Sequence, residues 1–408
     1  MRKIAIIGAG QSGLQLGLGL LDAGYEVTLV SNRTGEDIRC GPIMSSQVMF
    51  DVALRTERDQ GLNLWDEECP VMETLGLAGA GPDGEKAIDW SCALNDPCQS
   101  LDQLVKFPVW MERFVERGGN LVLREATTED AEAYRESHDL VVVASGKGDL
   151  AKLFERDASR SPFSTPQRGL TLLFVKGMQP RHDDVKGALV LVPGLGEYLY
   201  FRALTTSGVC DIMLLEAVPG GPMDDWETPV TIEEHVEKAK EILRTFMPWE
   251  AERCDAIEAT DPKALLKGRF PPTVRKPIGQ LPSGAHVLGI GDSLVLNDPV
   301  TGRGANSAAI AASVYLRNIV QREDRPFDPD WMLDTFNEFW KWAEWGVRYT
   351  NVQLAAPPKP HIVQFLMAAQ HSETLRKAFV EGLNEPETTF PWIEDAKAAE
   401  EFIAVATS

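Results

Sequence analysis

Long apolar runs are missing from this chain, and so is any surplus of positive charge. None of its 408 residues falls in a stretch approaching the roughly 18 apolar residues that span a bilayer. The first apolar run, Ile4 to Ile7, is cut at once by Gly8 and Gly10, and no signal peptide is legible, so a cytoplasmic protein without a membrane partner is expected. With 40 basic against 61 acidic residues the formal charge is −21, which repels phosphate backbones and argues against a nucleic-acid partner. Six cysteines (Cys40, Cys69, Cys92, Cys98, Cys210, Cys254) form no CxxC, and six histidines form no HExxH, so free thiols and no metal are expected. No histidine adjoins a nucleophilic serine, no paired carboxylate stands out, and no internal repeat is visible. No catalytic acid or base is therefore assigned.

What is present begins at residue 2. "RKIAIIGAGQSGLQLGLGLLDAGYEVTLVSN" reads as strand, glycine turn, helix and strand. Gly8, Gly10 and Gly13 fit G-x-G-x-x-G: the first makes the tight turn, the second lets backbone approach a pyrophosphate, and the third lets helix pack on strand. The helix amino end then favours the phosphates. A carboxylate about 20 residues on would grip the adenosine ribose. Here the second strand, from Glu26 to Val30, ends in Ser31-Asn32-Arg33, which predicts a looser grip.

Further on, Ser45 to Met49 alternates like a strand leading into a helix, and Gly/Pro loops surround Gly81 to Gly84. Helix, strand, a polar stretch and the buried strand Leu140 to Val143 follow. Between Leu170 and Val218 the runs "LTLLFVKG", "GALVLVPG", "EYLYFRAL" and "CDIMLLEAV" predict a separate antiparallel sheet. Helical periodicity returns at Ile232 to Phe246 and in a segment holding Trp331, Phe336, Phe339, Trp340, Trp342 and Trp345, read as packing against the body or a dimer mate.

A second glycine turn comes late. "AHVLGIGDSLVLNDPVTGRGANSAAIAASVYL" is a strand ending in Gly291-Asp292, a loop with Pro299, Gly302 and Gly304, and a small-residue helix. One dinucleotide has two ends: the carboxylate can bond a sugar hydroxyl, and the loop can offer backbone N–H groups to a flavin carbonyl.

Together, "GAGQSG" and "GIGDSLVLNDPVTGRGAN" resemble the para-hydroxybenzoate hydroxylase type of FAD-dependent monooxygenase along nearly the whole chain. The resemblance implies an α/β fold: a Rossmann-like FAD domain (1–64, 98–160 and 270–325), an antiparallel-sheet substrate domain (65–97 and 161–269) and C-terminal helices (326–408). It implies FAD on Gly8, Gly10, Gln11, Ser12 and Gly13, with Asn32 and Arg33 at the second strand's end and Arg39 near the cofactor. The ribityl chain falls to Gly291 and Asp292, and the flavin ring to the loop of Pro299, Gly302, Gly304, Ala305 and Asn306. Asn306 bonds flavin or backbone in this reading.

Single-component members of that family carry an Asp-Gly pair after the strand matching Leu140 to Val143, where this chain has Ala144-Ser145-Gly146-Lys147-Gly148. That loop, with "MSSQVMFD" and "KLFERDASRSPFSTPQRGL", resembles the two-component styrene and indole monooxygenases. The likeness implies reduced FAD delivered by a separate NADH-dependent flavin reductase, O2 as co-substrate reacting as the flavin C4a-hydroperoxide, and a homodimer. Ser45, Gln47 and Met49 match the pattern of members acting on indole, and on a strand they would face one pocket wall. Met44, Leu294, Val295, Leu296, Pro299, Val190 and Phe201 complete the expected walls. The expected reaction is epoxidation of indole to its 2,3-epoxide, then indoxyl and indigo, with styrene also accepted. Leu104 stands where relatives often have an Arg that contacts flavin.

The nearest rival is a self-sufficient NAD(P)H-dependent aromatic hydroxylase of the same fold. A flavin-dependent halogenase would carry Trp-x-Trp-x-Ile-Pro, whereas here the segment reads Trp340-Lys341-Trp342-Ala343-Glu344. A non-catalytic flavin carrier would keep both turns but lack a substrate pocket.

Overall fold

The computed structural model describes residues 1–45, 47–146 and 148–408; Ser46 and Lys147 lie outside the described residues. Two sheets organise it. The first has six strands in the order Ile278–Gln280, His286–Gly289, Leu140–Val143, Lys3–Ile7, Glu26–Ser31 and Asn120–Leu123. All neighbours are parallel except the first pair. Strands buried on both faces read as unbroken apolar runs, as in Ile4 to Ile7 and Leu140 to Val143.

The helices Gln11–Asp22 and Arg303–Arg322 pack together beside this sheet, each following one of the glycine turns. The polar stretch before Leu140 is itself a helix, Thr128–Ser137, started by a capping box between Thr127 and Asp130.

The second sheet has eight strands, antiparallel but for one pair. The hairpin Val71–Ala80 and Lys86–Gln99 turns at Gly81 to Gly84 and joins Gly187–Val192 in parallel. Gly196–Thr205, Gly208–Ala217 and Gly169–Lys176 follow in antiparallel order, and the short strands Glu258–Ala259 and Leu265–Gly268 both pair with Gly169–Lys176. Side-chain alternation gives this sheet two faces. Val190, Tyr198 and Leu215 face the helix Ile232–Phe246, whereas Leu172, Phe201 and Leu214 face a second cluster.

That second cluster is closed by C-terminal helices, Pro360–Ala369 and Glu373–Asn384. The tryptophan-rich segment is a 25-residue helix, Pro329–Gln353, whose Trp331, Phe336 and Phe339 are buried in the first domain's core. The architecture is the expected one: a Rossmann-like half, an antiparallel half, and a helical tail. No helix among the described residues is long and apolar enough to cross a membrane.

Candidate functional site: two glycine turns on one cavity

The first strand ends at Gly8, whose φ of 122° suits only glycine, and a Cβ there would lie 2.8 Å from the carbonyl carbon of Ala144. Gly13 lets the helix close on the turn: a Cβ would stand 2.0 Å from the Gly8 carbonyl oxygen. Gly10 differs, since a Cβ there meets nothing within 4 Å. The space is a cradle for a ligand's approach. The helix that follows has neither a side-chain cap nor an acidic residue in its first turn, so its leading N–H groups remain available to an anion.

The late turn is built against the early one. Gly291 has φ 65°, and a Cβ would lie 2.5 Å from Ser12 Oγ. Ser293 anchors the turn to the central strand, its buried Oγ accepting from Ile290 N at 3.0 Å and lying 2.9 Å from Val143 O. Asp298 then caps a short turn through Val300 N, and Thr301 Oγ1 meets Thr350 Oγ1 at 2.5 Å, fixing the loop to the long helix. Gly302, left-handed at φ 64°, starts the helix Arg303–Arg322. A Cβ on Gly304 would meet nothing within 4 Å.

Both turns open onto one cavity of about 860 Å³. At one end it is lined by Gly8, Gly10, Gln11, Ser12, Asn32 and Arg33; in its middle by Asp292, Pro299, Gly302, Gly304 and Ala305. The far end is apolar, walled by Met72, Leu75, Trp90, Leu172, Leu189 and Phe201 from the sheet. Phe379, Val380 and Leu383 of a C-terminal helix close it. Among the described residues only Arg33, Lys267, Arg269 and Asp292 bring charge to the lining. Arg269 is already paired with Asp224 at 2.7 Å, and Lys267 donates to Trp226 O at 3.1 Å. Tyr200 is the remaining titratable side chain in the described lining, and burial pushes its hydroxyl up to about 12.

Several expected wall residues sit elsewhere. Val190 is fully buried on the opposite face of its strand, so Leu189 takes the cavity side. Of Leu294, Val295 and Leu296, the first two are core of the Rossmann half and only Leu296 lines the cavity. The segment from Ser45 to Met49 forms no strand beyond one bridge, Met49 to Gln99. Met44, Ser45 and Gln47 line the cavity, while Met49 turns into a small cluster with Ala53, Leu54 and Ala309.

Arg39 pairs with Glu36 and Glu112, at 3.0 and 3.1 Å, and is not among the residues lining the cavity. Asn306 is committed to backbone. Its Nδ2 donates to Val48 O at 2.7 Å and to Gly302 O at 2.6 Å, and its Oδ1 accepts from Phe50 N at 2.9 Å. It ties the late loop to the Met44 to Phe50 segment instead of reaching the ligand. Leu104 is buried in the core, and Lys147 lies outside the described residues.

The residues fit FAD: two helix amino ends, two open glycines and a carboxylate lie along one channel that ends in an apolar chamber. Most of that chamber is not legible in the sequence. Met72, Trp90 and Phe379 look like ordinary core residues until the hairpin and the tail fold over the same space.

Comparison with known proteins agrees. Residues 146–253 match the family described as "Styrene monooxygenase A putative substrate binding domain". Styrene monooxygenase StyA of Pseudomonas fluorescens is 27% identical over 400 residues, 95% of this chain and 94% of that protein. Among solved structures, the flavin-dependent brominase Bmp2 superposes with a TM-score of 0.66 at 11% identity, covering 98% of each chain. The p-nitrophenol 4-monooxygenase PnpA of Pseudomonas putida DLL-E4 gives 0.65 at 12%, covering 95% of this chain and 98% of its own. One fold thus serves a brominase and a p-nitrophenol monooxygenase, so the structural likeness speaks to architecture alone. The chain is thus similar to styrene monooxygenase over nearly its whole length and has the para-hydroxybenzoate hydroxylase type of fold.

Proposed function

We propose that the protein is the oxygenase component of a two-component system, taking reduced FAD from a separate NADH-dependent flavin reductase. Its substrate is indole, oxidised to the 2,3-epoxide that collapses to indoxyl and indigo, and styrene is accepted as well. The observation that carries this reading is the single cavity running from Gly10 to an apolar chamber walled by Trp90, Leu189 and Phe201.

Reduced flavin, when bound, supplies the activation of O2 and the transfer of one oxygen atom. The chain's own work is placement and exclusion. Gly10 and the leading N–H groups of the first helix would hold the pyrophosphate, Asp292 the sugar-like chain, and the Pro299 to Ala305 loop the ring. Asn306 holds that loop against the Val48 and Phe50 backbone. The leucine and aromatic wall keeps water from the reacting face, which suppresses loss of the oxidising equivalents as hydrogen peroxide.

A chamber walled mostly by leucine, methionine and aromatic side chains suits an uncharged aromatic alkene better than a phenolate or carboxylate, because burying a charge there without a partner is costly. The second strand ends in Asn32 and Arg33 without a carboxylate, consistent with a flavin that arrives and leaves. The test is direct: protein, FAD, NADH, a flavin reductase and indole in air should yield blue indigo. Peroxide as the sole product at every indole concentration refutes the assignment. NADH oxidation without added reductase would favour the self-sufficient hydroxylase instead.

A further inference from the structure

Behind the wall that carries Gln47 lies a buried charged pair that the reaction does not use. Lys106 Nζ stands 2.7 Å from Glu57 Oε1, with both side chains about 98–99% buried, the exposures being 2% and 1%. Such a pair is a poor source of stability, because desolvating two ions offsets most of their attraction. Its geometry suggests another role. The Gln47 amide satisfies both ends in one orientation: Oε1 accepts from Lys106 Nζ at 3.0 Å and Nε2 donates to Leu101 O at 3.3 Å. Lys106 Nζ also lies 3.3 Å from Met49 Sδ.

The network continues to the cofactor end. Gln11 Nε2 donates to the same Glu57 oxygen at 2.8 Å, and to Gln15 Oε1 at 3.0 Å. Gln15 in turn donates to Thr56 Oγ1 at 3.0 Å. Of these residues, Gln11 and Gln47 line the cavity. Lys106 and Glu57 do not touch it. Lys106 Nζ thus has Glu57 Oε1, Gln47 Oε1 and Met49 Sδ as near acceptors, with Gln11 Oε1 at 3.5 Å, and the amide oxygen of Gln47 is taken by a cation on the far side of the wall.

We propose that Lys106, neutralised by Glu57, is a specificity-determining positioning residue: it holds the Gln47 amide so that its oxygen is withheld from the cavity. A wall fixed in this way selects by shape. An indole N–H finds no acceptor at Gln47, so indole and styrene are received on similar terms. Releasing the amide lets its oxygen turn inward and reward the N–H. This rests on the substrate class proposed above.

Removing Lys106 alone would strand a buried carboxylate, so the test uses Lys106→Met with Glu57→Gln, which removes both charges at similar volume. The double variant should raise the ratio of kcat/KM for indole over styrene by about tenfold, the scale of one gained hydrogen bond to a charge-free partner. Gln47→Leu should abolish that gain. An unchanged or lowered ratio, or a gain that survives Gln47→Leu, overturns the proposal.

A second readout needs no turnover. In urea unfolding, Gln47→Leu should cost less in the double variant than in the parent, since the bond it removes is already gone. Equal costs overturn the role of Lys106. If the parent oxidises neither indole nor styrene, the proposed substrate class falls, and the unfolding cycle still decides whether Lys106 holds Gln47.

Discussion

Gly291 and Ser12 are 279 positions apart in the chain, yet a Cβ on the first would stand 2.5 Å from the Oγ of the second. The late turn is thereby pressed against the early one, and a single ligand can be held by both. Gly291→Ala combines that collision with a φ of 65°, and should cost on the order of 1–3 kcal/mol of stability as well as at least tenfold in FAD affinity. Gly10→Ala makes the informative contrast. Its backbone is ordinary at φ −89° and its surroundings are open, so thermal unfolding should be unchanged while FAD affinity falls. Fluorescence titration with FAD, paired with thermal melts, reads both.

Asn306 offers a separate prediction. Asn306→Ala strands the Phe50 N–H and the Val48 carbonyl, a loss of about 1–3 kcal/mol. With the flavin loop no longer tied to the Met44 to Phe50 segment, more of the NADH consumed should appear as hydrogen peroxide. Peroxide yield per NADH measures this.

The two faces of the strand Gly187–Val192 should behave differently. Leu189→Ala enlarges the chamber and should shift turnover toward bulkier aromatic alkenes. Val190→Ala, on the helix side, should cost about 1–3 kcal/mol with the substrate range unchanged. A panel of alkenes of graded size, measured beside urea unfolding, separates the two effects.

Asp102 caps the helix Gln103–Glu116 through Leu104 N at 2.9 Å, but burial pushes its carboxyl up to about 6. The folded state therefore prefers the neutral acid. That contribution is complete below the unfolded value of about 4 and is lost as pH rises through about 6. Asp102→Asn keeps a cap without the charge. It should stabilise the protein by on the order of 1–3 kcal/mol at pH 8, with the gain vanishing near pH 4.

What the sequence disclosed follows from how strictly each position is constrained. Gly8, Gly13 and Gly291 are legible because backbone geometry admits little else there, and the strand-turn-helix context around them is local. The chamber is not local. Alternation along "GALVLV" shows that Leu189 and Val190 face opposite ways, but only the packed helix Ile232–Phe246 decides which is which. Met49 fell on the core side because its segment makes one bridge and then enters a helix. Arg39 pairs with two carboxylates that no spacing rule reveals. Lys106 left a faint mark, a cation inside the apolar run from Leu104 to Trp110 whose partner, Glu57, lies on another helix.

One FAD is proposed to span both turns with its ring beside the apolar chamber. A crystal structure of the protein with FAD and indole tests it most directly. Pyrophosphate density is expected at Gly10, the ring along Pro299 to Ala305, and indole between that ring and Trp90, Leu189 and Phe201. Density for the ring outside the chamber, or for indole in a separate cleft, would contradict it.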